Sequence, residues 1–154
     1  MASATDTQPL SREELAAWRG LLRVHAALTR ELDAELAAAH DLPLSSYEVL
    51  VYLYGAPNGR MRMSDLAERV VLSRSGLTRL VDRLERAGML ERRDCPDDAR
   101  GYFAVITAAG RRAFREARGT HHEGVRRRLL RHLSRDEQVL LAELWERVEP
   151  GSAA

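Results

Sequence analysis

The chain has 154 residues, 45 % of them hydrophobic and 31 % charged, enough apolar material for one self-sufficient core and too much for a disordered or collagen-like polymer. No run of about 18 apolar residues is available to cross a bilayer, the N-terminus MASATDTQPL has no basic-then-apolar signal order, and the single cysteine, Cys95, closes no internal disulfide, so a soluble, cytoplasmic domain spanning 1–154 is expected. The net charge of +1 conceals an asymmetry: residues 60–131 hold 18 Arg against 10 acids, whereas residues 1–59 and 132–154 are both acidic, which suits a central face that meets a polyanion.

From Ser11 the residues Leu15, Trp18, Leu21, Leu22, His25, Leu28, Leu32 and Leu36 form an apolar stripe at helical spacing. The box Ser11-Arg-Glu-Glu14 opens this helix and Pro43 lies beyond its end. Such a helix is about 40 Å long, as long as the whole globule, so a second chain is expected to cover part of it. Ser45-Ser-Tyr-Glu48 starts a second helix, ended by the turn Gly55–Gly59, and Ser64 reads as the cap of the next, Asp65–Val70. After a short turn, Ser73 reads as the cap of a helix over 74–87 whose Leu77, Leu80, Val81 and Leu84 share one face, with Gly88 as its terminator.

Met89–Asp94 and Tyr102–Thr107 read as two strands about the turn Cys95–Gly101. Thr107 caps a further long helix through Phe114 and past Arg118, and Ser134-Arg-Asp-Glu137 opens a last one through Leu140, Leu141, Leu144 and Val148. The expected architecture is mainly α with a small β-hairpin wing, of the α+β class. It is a winged helix-turn-helix lobe over 45–107, carried between helical dimerisation regions at 11–40 and 108–149.

The chemistry concentrates on the helix after Ser73. Its first turn presents Arg74, Ser75, Gly76, Thr78 and Arg79 while its leucines point inward. An Arg takes guanine O6 and N7 together, Ser and Thr reach base edges or phosphate, a Gly permits close approach, and the helix N-terminus favours phosphate. An ordinary solvated surface with the same residues is the alternative, and the position between a tight turn and a basic hairpin favours DNA. The hairpin adds Arg92, Arg93 and, near its tip, Asp98 and Arg100, where an arginine steadied by a carboxylate suits the narrow minor groove.

Ser64-Asp-Leu-Ala-Glu-Arg, Leu72-Ser-Arg-Ser-Gly-Leu-Thr-Arg-Leu-Val-Asp-Arg-Leu-Glu-Arg-Ala-Gly-Met-Leu-Glu-Arg, Asp98-Ala-Arg100 and Val105-Ile-Thr-Ala-Ala-Gly110 closely resemble the MarR family of bacterial transcription regulators. The resemblance covers nearly the whole chain. It implies a homodimeric repressor that binds a pseudo-palindromic double-stranded DNA operator and is released by a small-molecule effector or by oxidation. The family's recognition-helix positions match at Ser73, Arg74, Ser75, Thr78 and Arg79, and its wing pair at Asp98 and Arg100; Ser64, Gly76, Arg83 and Arg93 complete the expected DNA-facing set. An effector pocket between dimer helices and DNA lobe would involve Trp18, His25, Tyr47 and Tyr52, each of which also reads as ordinary core or interface packing.

Other chemistry finds little support. His121, His122, Glu123 and His132 are metal-ligand types, but the adjacent pair diverges on a helix and Arg126 stands where an HExxH motif needs its second His, so a solvated surface is the expectation. Cys95 has no second cysteine to resolve an oxidised form. No dinucleotide, phosphate-loop or nucleophile-elbow motif is present, so neither enzyme activity nor a cofactor is expected. A sequence-indifferent architectural DNA-binding protein, or a winged-helix adaptor for a ligand or protein, are the alternative functions.

Overall fold

The computed structural model describes residues 8–70, 74–96 and 98–152, with the side chains of residues 74 and 98–100 outside that description. Helix α1 (Arg12–His40) opens on the expected reciprocal cap, Glu14 N–H donating to Ser11 Oγ at 3.2 Å and Ser11 N–H to the Glu14 carboxylate at 2.7 Å. Only the C-terminal part of its stripe, Leu32 and Leu36, is buried; Trp18, Leu21 and Leu22 stay 53, 40 and 49 % exposed.

Helix α2 (Leu44–Gly55) is the centre of the core, burying Tyr47, Val49, Leu50 and Leu53. It begins one residue before the expected Ser45, because Asp33 Oδ1 of α1 accepts the Leu44 N–H at 2.8 Å. A tertiary cap has replaced the local one. The turn Pro57–Gly59, with Asn58 and Gly59 at positive φ, leads into β1 (Arg60–Arg62), a strand the sequence reading lacks: three residues are too few for an alternating pattern.

Because β1 runs directly into α3 (Met63–Arg69), Ser64 falls inside the helix and does not cap it; its hydroxyl donates to Asp65 at 3.1 Å and Arg62 occupies the capping position. Helix α4 (Arg74–Arg86) follows. The expected cap Ser73 lies outside the described residues. The end of α4 is as expected, Gly88 turning at φ 70 while Met89 N–H reaches back to the Leu84 carbonyl at 2.9 Å.

Strands β2 (Leu90–Cys95) and β3 (Asp98–Ile106) form the wing, and the sheet order is β1-β3-β2, all antiparallel. The expected seven-residue turn is shorter. Cys95, only 4 % exposed, packs inward and pairs with Asp98 across a register shift, so Asp98 and Arg100 belong to β3. Helix α5 (Ala108–Arg128) is capped by Thr107, whose Oγ accepts the Gly110 N–H at 3.1 Å.

It runs back along α1 at close range, since a Cβ on Gly124 would stand 2.6 Å from Leu32 Cδ2. Glu35 of α1 ties Arg127 (2.7 Å) and Arg128 of α5, and these guanidiniums, Arg128 foremost, hold its carboxyl below its usual pKa. Helix α6 (Arg135–Val148) repeats the reciprocal cap at Ser134 and Glu137 and buries no residue against the rest of the chain. Thus α2–α4 and the wing enclose one core with the second half of α1 and the first half of α5, while the N-terminal half of α1 and all of α6 stand away from it.

Candidate nucleic-acid interface

Helix α4 owes its place to Leu77, Leu80, Val81 and Leu84, exposed by 3 % or less. Each such side chain contributes about 1.5–3 kcal/mol of burial, so the helix cannot rotate without exposing its anchors. The opposite arc therefore faces outward by necessity: Ser75, Thr78, Arg79 and Arg83 are exposed and Gly76 is half-buried. Arg79 Nε donates to the Ser75 carbonyl at 3.4 Å. The side chains of Arg74, Asp98 and Arg100 lie outside the described residues; their backbones begin α4 and β3.

Ser64 on α3 is exposed and lines, with Arg62, Thr78 and Tyr102, a cleft of about 450 Å³ between α3, α4 and the wing. Cys95 closes the same cleft from the wing side. Arg60 and Arg62 of β1 lie over the Phe103 ring at 4.8 and 5.6 Å, so cation–π contact holds two more positive charges beside the wing. Arg93 is 66 % exposed and paired with its neighbour but one, Glu91. Of the expected residues, Ser64 of α3 and Thr78 of α4 thus line one cleft, while Arg93 of β2 does not line it.

The structure adds one residue to which the sequence assigned only charge. Arg92, next to outward Arg93, turns in beneath α4: one guanidinium nitrogen meets Asp82 and another Glu85, while its backbone N–H donates to Glu85 Oε1 at 3.0 Å. Burial works against the Arg92 charge, but the two carboxylates outweigh it and raise the pKa above its ordinary value. Two acids three residues apart on α4 were the available signal, since they need a cation to offset them.

The expected effector residues differ in burial. Trp18 and His25 lie on the exposed half of α1, Tyr52 is half-buried, and Tyr47 is 3 % exposed. Tyr47 stacks on Phe114 (5.7 Å) and His121 (4.6 Å), with Tyr54 on the far side of Phe114 at 4.4 Å. Burial raises the Tyr47 pKa and lowers that of His121, which neighbouring His122 depresses further. Among the described residues His121 Nδ1 has no hydrogen-bond partner, no group of three or more His, Cys, Asp or Glu could hold a metal, and no helix is long and apolar enough to cross a membrane.

Comparison with known proteins is consistent along the chain. The MarR family profile matches residues 40–101. AbsC from Streptomyces coelicolor, a MarR family transcriptional regulator, is 34 % identical with a TM-score of 0.84, the match covering 92 % of this chain and 95 % of AbsC. Sco3205, a MarR family transcriptional regulator of the same organism solved in complex with DNA, is also 34 % identical, with a TM-score of 0.86 over 93 % of each chain. YfiV of Bacillus subtilis (strain 168), described as an uncharacterized HTH-type transcriptional regulator, is 29 % identical over 106 residues; the match spans 69 % of this chain and 64 %, less than two thirds, of YfiV. Sharing its winged lobe and 34 % of aligned positions with AbsC and Sco3205 over almost their full lengths, the chain belongs to the MarR family of transcriptional regulators, which are not enzymes.

Proposed function

We propose that this regulator is a homodimeric repressor, which reads an inverted-repeat operator in double-stranded DNA and leaves it when a small molecule binds. The observation that carries the DNA reading is the outward arc of α4, with Ser75, Thr78, Arg79 and Arg83 held rigidly over a buried apolar face. That arc has the shape and donors to read base edges in the major groove, and Arg74 at its first turn joins it. Arg100 enters the adjacent minor groove from the wing, steadied by Asp98. The DNA complex of Sco3205 supports the same use of the lobe.

The dimer rests on apolar surface that the chain does not cover itself: Trp18, Leu21, Leu22 and Val24 on α1, and Val139, Leu140, Trp145 and Val148 on α6, are 37–74 % exposed. So many exposed large apolar side chains on both end helices call for a partner, and a second copy also supplies the second recognition helix that an inverted repeat requires. The effector acts where the stalk meets the lobe, near Trp18, His25, Tyr47 and Tyr52, and bound there it changes the spacing of the two α4 helices.

Selection from a random duplex pool at near-physiological salt tests the reading, with Arg74→Ala/Arg79→Ala protein beside the parent. Enrichment of an inverted repeat with half-site centres about 10 bp apart, lost in the variant, is the expected result. Retention of DNA without a consensus would indicate an architectural protein, and no retention at all an adaptor. For the wing, Arg100→Ala lowers the slope of log affinity on log salt by about one if it meets one phosphate equivalent; an unchanged slope removes it from the groove.

A further inference from the structure

We infer that Arg92 is a positioning residue that sets the angle between the recognition helix and the wing, so that operator selectivity depends on a side chain that does not itself touch DNA. The inference rests on the DNA reading above, but its geometry is independent of it. Strand β2 is an edge of the sheet, so an outward N–H on it has no strand to meet. Arg92 spends that N–H on Glu85 Oε1 of α4, 3.0 Å away, and its guanidinium joins Glu85 Oε2 and Asp82 Oδ1. One residue therefore joins two turns of the recognition helix to the wing through backbone and side chain together.

Where α4 passes into β2, Thr107 Oγ1 donates to the Gly88 carbonyl at 2.6 Å, Thr107 N–H to the Met89 carbonyl at 3.1 Å and Met89 N–H to the Leu84 carbonyl at 2.9 Å. Leu80, Leu84 and Leu90 share the core beneath. These ties gather at the turn and on the buried face, and Arg92 adds a polar attachment away from the turn that fixes the angle between helix and wing. Only an arginine performs this: its planar fork spans two carboxylates and keeps its charge, whereas a lysine is one point charge.

The exposures fit the assignment. The Arg92 side chain is 23 % exposed against 66 % for Arg93, so the neighbouring arginine reaches outward and Arg92 does not. Asp82 and Glu85 are 46 and 38 % exposed, so the carboxylates that hold Arg92 sit at the edge of α4 and not in its core.

The experiment uses full-length Arg92→Met, Arg92→Lys and Asp82→Asn/Glu85→Gln proteins, with the selected operator and an unrelated duplex of equal length, at several salt concentrations. Arg92→Met is expected to weaken operator binding about tenfold with an unchanged salt slope and little effect on the unrelated duplex. Arg92→Lys should recover part of the loss, and Arg92→Met should add little in the Asp82→Asn/Glu85→Gln background. Equal loss on both duplexes with a slope smaller by about one would make Arg92 a phosphate contact and overturn the inference. Undiminished operator binding would overturn it as well.

Amide exchange on DNA-free protein keeps the clamp distinguishable from the DNA reading. Arg92→Met should speed exchange in β2 and the second half of α4 while α1 and α5 keep the parent's protection. If the parent selects no operator, the DNA reading fails, and the clamp stands or falls on that exchange pattern; unchanged exchange refutes it.

Discussion

Two glycines of α5 give opposite responses to the same substitution, which makes them a sharp test of the packing described above. At Gly119 an added Cβ meets nothing within 4 Å, and an exposed Gly→Ala change inside a helix stabilises by about 0.5–1 kcal/mol through lower unfolded-state entropy. At Gly110 the same Cβ would lie 2.0 Å from the Met89 carbonyl oxygen and 2.9 Å from Ile106 Cγ1. Backbone cannot swing aside as a side-chain end can, so α5 must retreat by about an ångström, with overpacking of about 1–3 kcal/mol.

That retreat also pulls on Thr107, which caps α5 and holds the Gly88 carbonyl. Net destabilisation of about 1–2 kcal/mol is expected, or roughly 2–8 °C in Tm for a chain of this size, against a rise of a degree or more for Gly119→Ala. Thermal and urea denaturation at one fixed chain concentration measure both, since self-association, as proposed above, would make stability depend on concentration. Because Met89 joins α4 to the wing, Gly110→Ala should weaken operator binding as well. A Gly110→Ala protein as stable as the parent would refute the close approach, and with it the rigid join of stalk to lobe.

The proposed dimer face is tested by Leu22→Glu, which places a charge in the exposed stripe of α1; it should raise the dissociation constant of the proposed dimer at least about tenfold, seen as monomer mass by light scattering at micromolar concentration. An unchanged dimer mass would send the interface elsewhere. Stability should also fall as pH drops from about 7 to 5: burial and His122 lower the His121 pKa in the folded chain, so protons bind preferentially to the unfolded state, and stability is complete only above the unfolded value of about 6.5. His121→Phe keeps the ring stacked on Tyr47 and should flatten that part of the Tm-versus-pH curve; an identical acid loss in the variant would place its origin elsewhere.

Much of this protein is local in origin, and that part is legible from the chain alone. The reciprocal caps at Ser11 and Ser134, the Thr107 cap, the Gly88 stop and the inward leucines of α4 each depend on residues within a turn or two of one another. Helical periodicity and cap chemistry act over that same range, so the helices and the outward arc of α4 follow from sequence.

Tertiary structure decided the rest, because the partners come from afar. Leu44 begins α2 through Asp33 of α1, β1 exists only by pairing with β3, and Cys95 shortens the wing turn by packing inward. The change in Arg92 from one more positive charge to the tie between helix and wing has the same cause. Its two acids lie 10 and 7 residues back on another element, and only the turn at Gly88 brings β2 beneath them. Spacing along a chain specifies which face a side chain occupies; what that face meets is settled by the packing of whole elements.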